Sequence, residues 1–267
     1  MTKNEALTHA KTKRHQSLFH TDGHEKEWLS TDDRHYHCAD HWCYFIEPSQ
    51  PSRVYVAFDD QKAFKALIRN LEARTEPGKP YQFHASEDKD SEGMIDMLRA
   101  FYLGAGLQQV SYNIGMTTKQ ITTMERIAHE KISSYDGNAD DRLYQMALDC
   151  LDTELFGMDR AEFDRFLRED TTLIHVIYHD AVLAGFVLGQ IYNDGKSVFV
   201  RGLGVDAPFR SKGYGKALMQ TLLSVAAQKG ITGSMLWVEK TNTRALNLYR
   251  KLGYYPYGDA EALFLLK

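Results

Sequence analysis

The residues best suited to chemistry lie between Val198 and Gly230. Arg210, Gly213 and Gly215 stand in the spacing R-x-x-G-x-G, with Ser211, Lys212, Tyr214 and Lys216 around them. Such a turn captures an anion. The first N–H groups of a helix have no intrahelical partner, and the macrodipole adds partial positive charge there. Glycines at 213 and 215 let a ligand reach bare backbone and can supply the positive φ that a nest of N–H groups needs. Arg210 and Lys212 add charge beside it, so a phosphate or pyrophosphate is the natural guest.

The elements that must hold this turn are legible on either side. Val198, Val200, Leu203 and Val205 are the β-prone residues of a strand, and Pro208 fixes the turn after it. From Tyr214 the apolar positions Ala217, Leu218, Leu222 and Val225 recur at helical spacing, with Gly230 where a helix-ending glycine belongs. Leu173 to Tyr178, Val182 to Tyr192 and Ser197 to Val205 read as a meander turning at His179-Asp180 and Asn193-Asp194-Gly195. Gly202 and Gly204 inside its last strand mark a bulge or a close backbone approach.

Two other phosphate motifs fit poorly. A Walker A loop ends G-K-[ST], whereas Gly215-Lys216 is followed by Ala217. A dinucleotide fingerprint needs a third glycine where Leu218 stands, which disfavours a nucleotide-binding oxidoreductase.

With its R-x-x-G-x-G turn, this stretch resembles the GCN5-related N-acetyltransferase (GNAT) superfamily. A second block agrees: Asn242, Ala245, Leu248, Tyr249, Lys251, Gly253 and Tyr254 match the family's N-x-x-A-x-x-L-Y-x-K-x-G-F/Y after a strand. The resemblance implies an α/β (α+β) fold, a mixed, mostly antiparallel sheet flanked by helices. It implies acetyl-CoA as acyl donor and an amine as acceptor. The coenzyme's diphosphate would lie on Arg210, Ser211, Lys212, Gly213, Tyr214, Gly215 and Lys216. Its pantetheine arm would add to the strand at Leu203, Gly204 and Val205, with Asn242 as a further contact.

An amine must be neutral to attack a thioester, yet alkylamines titrate near about 10, so a base is needed as well as a donor for the departing thiolate. Tyr249, at the family's L-Y position, is the expected donor; as a plain helix residue it would be a packing tyrosine. Several family members carry a glutamate on the strand before the pyrophosphate turn. Here no Asp or Glu lies between Asp194 and Asp206, and Arg201 stands on that strand. Glu239, Glu154, His175 and His179 are the remaining candidate bases, with water alone as the alternative. Arg201 could hold an acidic group on the acceptor. The alternative is a coenzyme A-binding regulator without catalysis.

The 267 residues allow one large or two modest domains, and a 43% apolar share suffices for real cores. A net charge of −4 gives no bulk attraction to nucleic acid or acidic membranes. No apolar run suits a membrane span, the N-terminus lacks a signal-like apolar core, and Cys38, Cys43 and Cys150 make no disulfide framework. The expectation is a cytoplasmic monomer or homodimer with no bound metal.

Residues 1–114 read as a smaller α/β domain, and 115–267 as the acetyltransferase domain. Glu5 to Phe19 reads as a surface helix. His35, His37 and His41 would share a strand face with Cys43, with Cys38 pointing away; a core-edge strand or hairpin outweighs a metal site there. Val54, Val56 and Phe58 mark a half-buried strand, followed by a helix with Phe64, Leu67, Ile68 and Leu71, a strand from Tyr81 and a helix with Leu98 and Tyr102. This order repeats that of the C-terminal half, and F101-Y-L-G-A-G-L107 lies over L248-Y-R-K-L-G-Y254 without a gap. The repeat points to a duplication that left a degenerate GNAT-like N-terminal domain; the rival reading is an unrelated small α/β domain whose match is chance. Its turn F58-D-D-Q-K-A63 has no glycine and two carboxylates, which would repel a pyrophosphate.

Overall fold

A computed structural model describes residues 2–18, 36–47, 52–74, 80–121, 132–135, 141–148, 159–192 and 194–266. His35, Pro48, Pro51, residues 75–79, 122–131 and 136–140, Cys150, Glu154, Gly157 and Asn193 lie outside the described residues. The chain divides into two compact units, one of residues 1–114 with 258–267 and one of residues 115–257. The sequence reading gave 258–267 to the second domain; here that segment belongs with the first unit.

Unit 1 contains α1 (Lys3–Ala10), β1 (His15–Ser17), β2 (Tyr36–Ala39), β3 (Trp42–Glu47), β4 (Ser52–Phe58), α2 (Gln61–Arg74), β5 (Tyr81–Glu87), α3 (Met94–Gly104) and most of β6 (Gln108–Thr118). The chain's final strand, β12 (Tyr255–Leu266), joins this unit from Gly258 onward and pairs antiparallel with β5. Val54, Val56 and Phe58 pack with α2 and α3, while Tyr55 and Ala57 on the other face pack under Ala6, Leu7 and Ala10 of α1. β4 is therefore buried on both faces, not half-buried as expected. The helix read from Glu5 to Phe19 ends at Ala10; Thr2 and Glu5 form a capping box at its start, and His15–Ser17 is a strand.

Residues 36–47 form a hairpin turning at Asp40-His41, not one strand. The turn breaks the parity argument: Cys38 lies directly opposite Cys43, joined to it as a disulfide, with Cα atoms 4.1 Å apart. His37 sits against the Trp42 and Tyr44 rings, and His41 bonds Asp59 at 3.1 Å.

Unit 2 contains β7 (Ile132–Ser134), α4 (Asp141–Leu148), α5 (Arg160–Phe166), β8 (Thr172–His179), β9 (Val182–Tyr192) and β10 (Ser197–Val205). After a short 3-10 turn at Ala207–Phe209 come α6 (Tyr214–Gln228), β11 (Gly233–Glu239) and α7 (Thr243–Lys251). The meander from β8 to β10 is antiparallel as expected, and β7, which the residue pattern does not mark, pairs antiparallel with β8. Its first turn places Asp180 and Ala181 at positive φ (49° and 64°), the twist a two-residue hairpin needs. Asp159 and Glu162 form a capping box at α5. Leu143, Phe163 and Phe166 of α4 and α5 pack with Ile174, Val176 and Phe186 of the sheet. α6 packs on β8, β9 and β10; its Leu218 and Leu222 are fully buried, each worth roughly 1.5–3 kcal/mol.

Candidate active site

The site begins with a parting of strands. β10 runs parallel to β11 only from Ser197 to Val200, opposite Gly233 to Leu236. Its antiparallel pairing with β9 continues to Val205, with a register shift between Val200 and Gly202. The bulge expected near these glycines therefore falls at Arg201. Beyond it, one side of β10 has no strand partner among the described residues.

Strand alternation decides what faces that opening. The Asp206 N–H donates to Ala184 O of β9 at 3.0 Å. Peptide groups alternate sides along a strand, so those of Leu203 and Val205 point away from β9, toward the space β11 has left. Gly204 keeps to the β9 side, where its carbonyl would lie 2.7 Å from a Cβ on Gly185. Leu203 thus offers its main-chain groups and Val205 its N–H to a ligand, and Gly204 does not, while the Val205 carbonyl accepts from Arg210.

The turn after β10 presents its backbone in the same region. Asp206 caps the 3-10 turn, and Arg210 leaves it in extended conformation. Ser211 then takes φ 66° and Gly213 φ 84°. The positive φ expected of the two glycines is thus shared by Ser211 and Gly213, because Gly215 already lies inside the helix. Gly213 is the N-cap of α6, and no side chain caps that end. The first N–H groups of α6 remain for an acceptor from outside. At Gly215 a Cβ would make only ordinary contacts, 3.6 Å from Leu248, 3.8 Å from Val205 and 3.9 Å from Leu203. The start of α6, the open edge of β10 and α7 therefore meet within one side chain's width.

The side chains divide into those facing outward and those already engaged. Arg210 is exposed and anchored by its Nε to Val205 O at 3.0 Å, which fixes its charge beside the open edge. Lys212 is exposed over the Phe209 ring at 5.5 Å, and Lys216 is exposed on the first turn of α6. Tyr214 is buried, with its hydroxyl 2.7 Å from His179 Nδ1. That bond gives His179 a place in the turn, which the sequence showed only as a possible base. Asn242 caps α7, its side chain accepting from the Ala245 N–H at 3.1 Å. Tyr249 lies on α7, 7% exposed, with its ring 5.8 Å from Tyr254. Tyr254 donates to Ser234 Oγ at 2.7 Å, and burial pushes its phenol above the ordinary range.

Among the bases considered, Glu239 ends β11, where its carbonyl accepts the Asn242 N–H at 2.8 Å and Thr241 reaches its carboxylate at 3.4 Å. His175 is buried on β8. Arg201 forks onto Gln190 Oε1 at 3.0 and 2.8 Å and lies 4.5 Å from the Phe199 ring centre. Its guanidinium is held by this chain's own side chains. Spacing gave no sign of a further link: Arg142 of α4 pairs with Asp206 at the foot of the turn, and Arg160 joins Asp141 at 2.5 Å to Asp164 at 3.1 Å.

Comparison with known proteins agrees with this geometry. Residues 141–254 match the Acetyltransferase (GNAT) family. Over 86 residues the chain is 29% identical to the ribosomal protein bS18-alanine N-acetyltransferase of Escherichia coli (strain K12), spanning 29% of this chain and 57% of that relative. It thus spans little more than half the length of the curated relatives it matches. The fold is shared with a GCN5-related N-acetyltransferase from Sphaerobacter thermophilus, with TM-score 0.58, 18% identity, and coverage of 91% of this chain and 84% of that one. It is shared also with one from Kribbella flavida, with TM-score 0.51, 16% identity, and coverage of 99% and 95%. The likeness to the GNAT acetyltransferase family thus lies in residues 141–254, somewhat less than half of the chain.

Proposed function

We propose that this protein transfers an acyl group, acetyl from acetyl-CoA, to a primary amine by direct attack. The observation that carries the reading is the vacated side of β10. There Leu203 and Val205 turn their peptide groups outward beside the uncapped start of α6. Strand addition suits an amide-bearing pantetheine arm, and the α6 end suits a diphosphate.

When bound, acetyl-CoA supplies an activated carbonyl and a thiolate leaving group. The chain supplies the rest. Arg210, Lys212 and Lys216 balance the diphosphate charge, while the backbone of Ser211, Gly213, Tyr214 and Gly215 donates to it. The Val205 N–H is placed to polarise a carbonyl lying along the edge. Tyr249 holds the proton that the departing sulfur takes up, and the proton shed by the acylated nitrogen returns to its phenolate through solvent. Asn242 contacts the coenzyme from the α7 cap. Alignment of amine and thioester supplies much of the rate.

A second reading, coenzyme binding without catalysis, draws on one observation. β10 carries no carboxylate, and its Arg201 is engaged by Gln190 and Phe199. Two measurements decide between the readings. Acetyl-CoA and coenzyme A, but not NAD, are expected to raise Tm. Thiol release is then expected with an amine panel that includes peptides beginning with alanine, as the curated relative's name suggests. Stabilisation without thiol release from any amine would favour the binding protein, and no stabilisation would sink both.

A further inference from the structure

Unit 1 follows the path of unit 2. The series β2, β3, β4, α2, β5, α3 matches β8, β9, β10, α6, β11, α7 in type and order. β3 pairs antiparallel with β4 as β9 does with β10. β4 runs parallel to β5 only from Ser52 to Val54, and the two then part, as β10 and β11 do after Val200.

The difference lies in what fills the opening. In unit 1, β1 pairs antiparallel with the parted end of β4, setting His15 opposite Phe58, Gln16 opposite Ala57 and Ser17 opposite Val56. β3 already holds the other edge of β4, so β1 lies on the side that β5 has left. Ser17 confirms the placement: its hydroxyl donates to the His84 carbonyl of β5 and so bridges the cleft. Tyr102, which aligns with Tyr249, donates to the same carbonyl at 3.3 Å and is completely buried.

The anion site is filled as well. Asp60 Oδ1 accepts the Ala63 N–H at 2.8 Å, capping α2 where α6 has only Gly213. The neighbouring Asp59 accepts from the Arg14 N–H at 3.4 Å and bonds His41 at 3.1 Å.

We propose that unit 1 is a duplicated acyltransferase fold whose coenzyme cleft is occupied by residues His15–Ser17 of its own chain. The strand takes the position of a pantetheine arm, and the Asp60 carboxylate takes that of a phosphate. The chain then binds one acyl-CoA, in unit 2. Only the location of that single site rests on the reading under Proposed function; the occupied cleft stands on unit 1 alone.

Hydrogen–deuterium exchange on the full chain, with and without acetyl-CoA, tests this together with a calorimetric stoichiometry. Without ligand, segments 15–17 and 52–58 are expected to exchange at least about a hundredfold slower than unstructured chain. Acetyl-CoA should leave them unchanged, bind once per chain and slow exchange at 201–205 and 211–216. Fast exchange at 15–17 in the free chain, new protection at 52–58 with acetyl-CoA, or two molecules bound per chain would overturn the proposal. Should no acetyl-CoA bind, the unit 2 reading fails, and exchange in the free chain still decides whether β1 fills the cleft.

Discussion

Tyr249 and Gly213 carry the most specific expectations. A phenol that protonates the departing sulfur contributes to turnover and not to coenzyme binding. Tyr249→Phe should therefore lower kcat by about 10²–10⁴, leaving the calorimetric Kd for acetyl-CoA within error of the parent. An equal loss in Kd would make it a packing residue, as its 7% exposure also allows. Gly213 tests the anion site from the other direction. Gly213→Asp would place a carboxylate at the α6 N-cap, as Asp60 does at α2. A fixed negative charge competing for the same N–H groups should weaken acetyl-CoA binding at least about tenfold. A melting curve recorded alongside separates that loss from strain at φ 84°.

At the level of elements, two placements depend on charges that can be altered. Arg142 ties α4 to Asp206 at the base of the coenzyme turn. Both side chains are partly exposed, so the pair should be worth only about 0.2–1 kcal/mol. Arg142→Ala is expected to speed exchange at 141–148 while shifting Tm little, and high salt should reproduce the effect in the parent. The β1 strand responds to pH through His15. Burial, then the Arg14 charge, depress its pKa against the opposing pull of Asp59 and Asp60, and the Phe58 and Phe101 rings pack on it. A lowered histidine pKa means that docked β1 binds fewer protons than released β1. Docking is then at full strength above about 6.5 and weakens as pH falls below it. Exchange at 52–58, corrected for intrinsic rates, should quicken from about pH 7 to about pH 5.5, and His15→Phe should flatten that dependence.

For the molecule as a whole, chain order and spatial grouping do not coincide. The last ten residues belong with the first unit, where Ala262 and Phe264 are fully buried and Phe264 meets Tyr102 edge-on at 4.9 Å. Phe264→Ala should cost about 3–5 kcal/mol, and the exchange protection lost should map to unit 1. Protection lost mainly at 201–228 would contradict that assignment. No helix among the described residues is long and apolar enough to cross a membrane.

The sequence by itself determined whatever rests on local chemistry. Glycine, proline and charge spacing marked the turn from Arg210 to Lys216, and hydrophobic periodicity marked the meander and α6. The N-x-x-A-x-x-L-Y block placed Tyr249 on a helix. The two carboxylates at Asp59-Asp60 were also visible as hostile to an anion. What only the tertiary structure decided depends on partners far away in the chain. The parting of β10 from β11, Arg201 turned onto Gln190, Cys38 facing Cys43 and His179 bonded to Tyr214 are all of this kind. So are β1 between β4 and β5, and β12 beside β5. A three-residue strand such as His15–Ser17 has no periodicity to read; it is a strand because an open edge elsewhere supplies its hydrogen bonds. Register across distant strands is fixed by burial and pairing in three dimensions, which residue spacing does not encode.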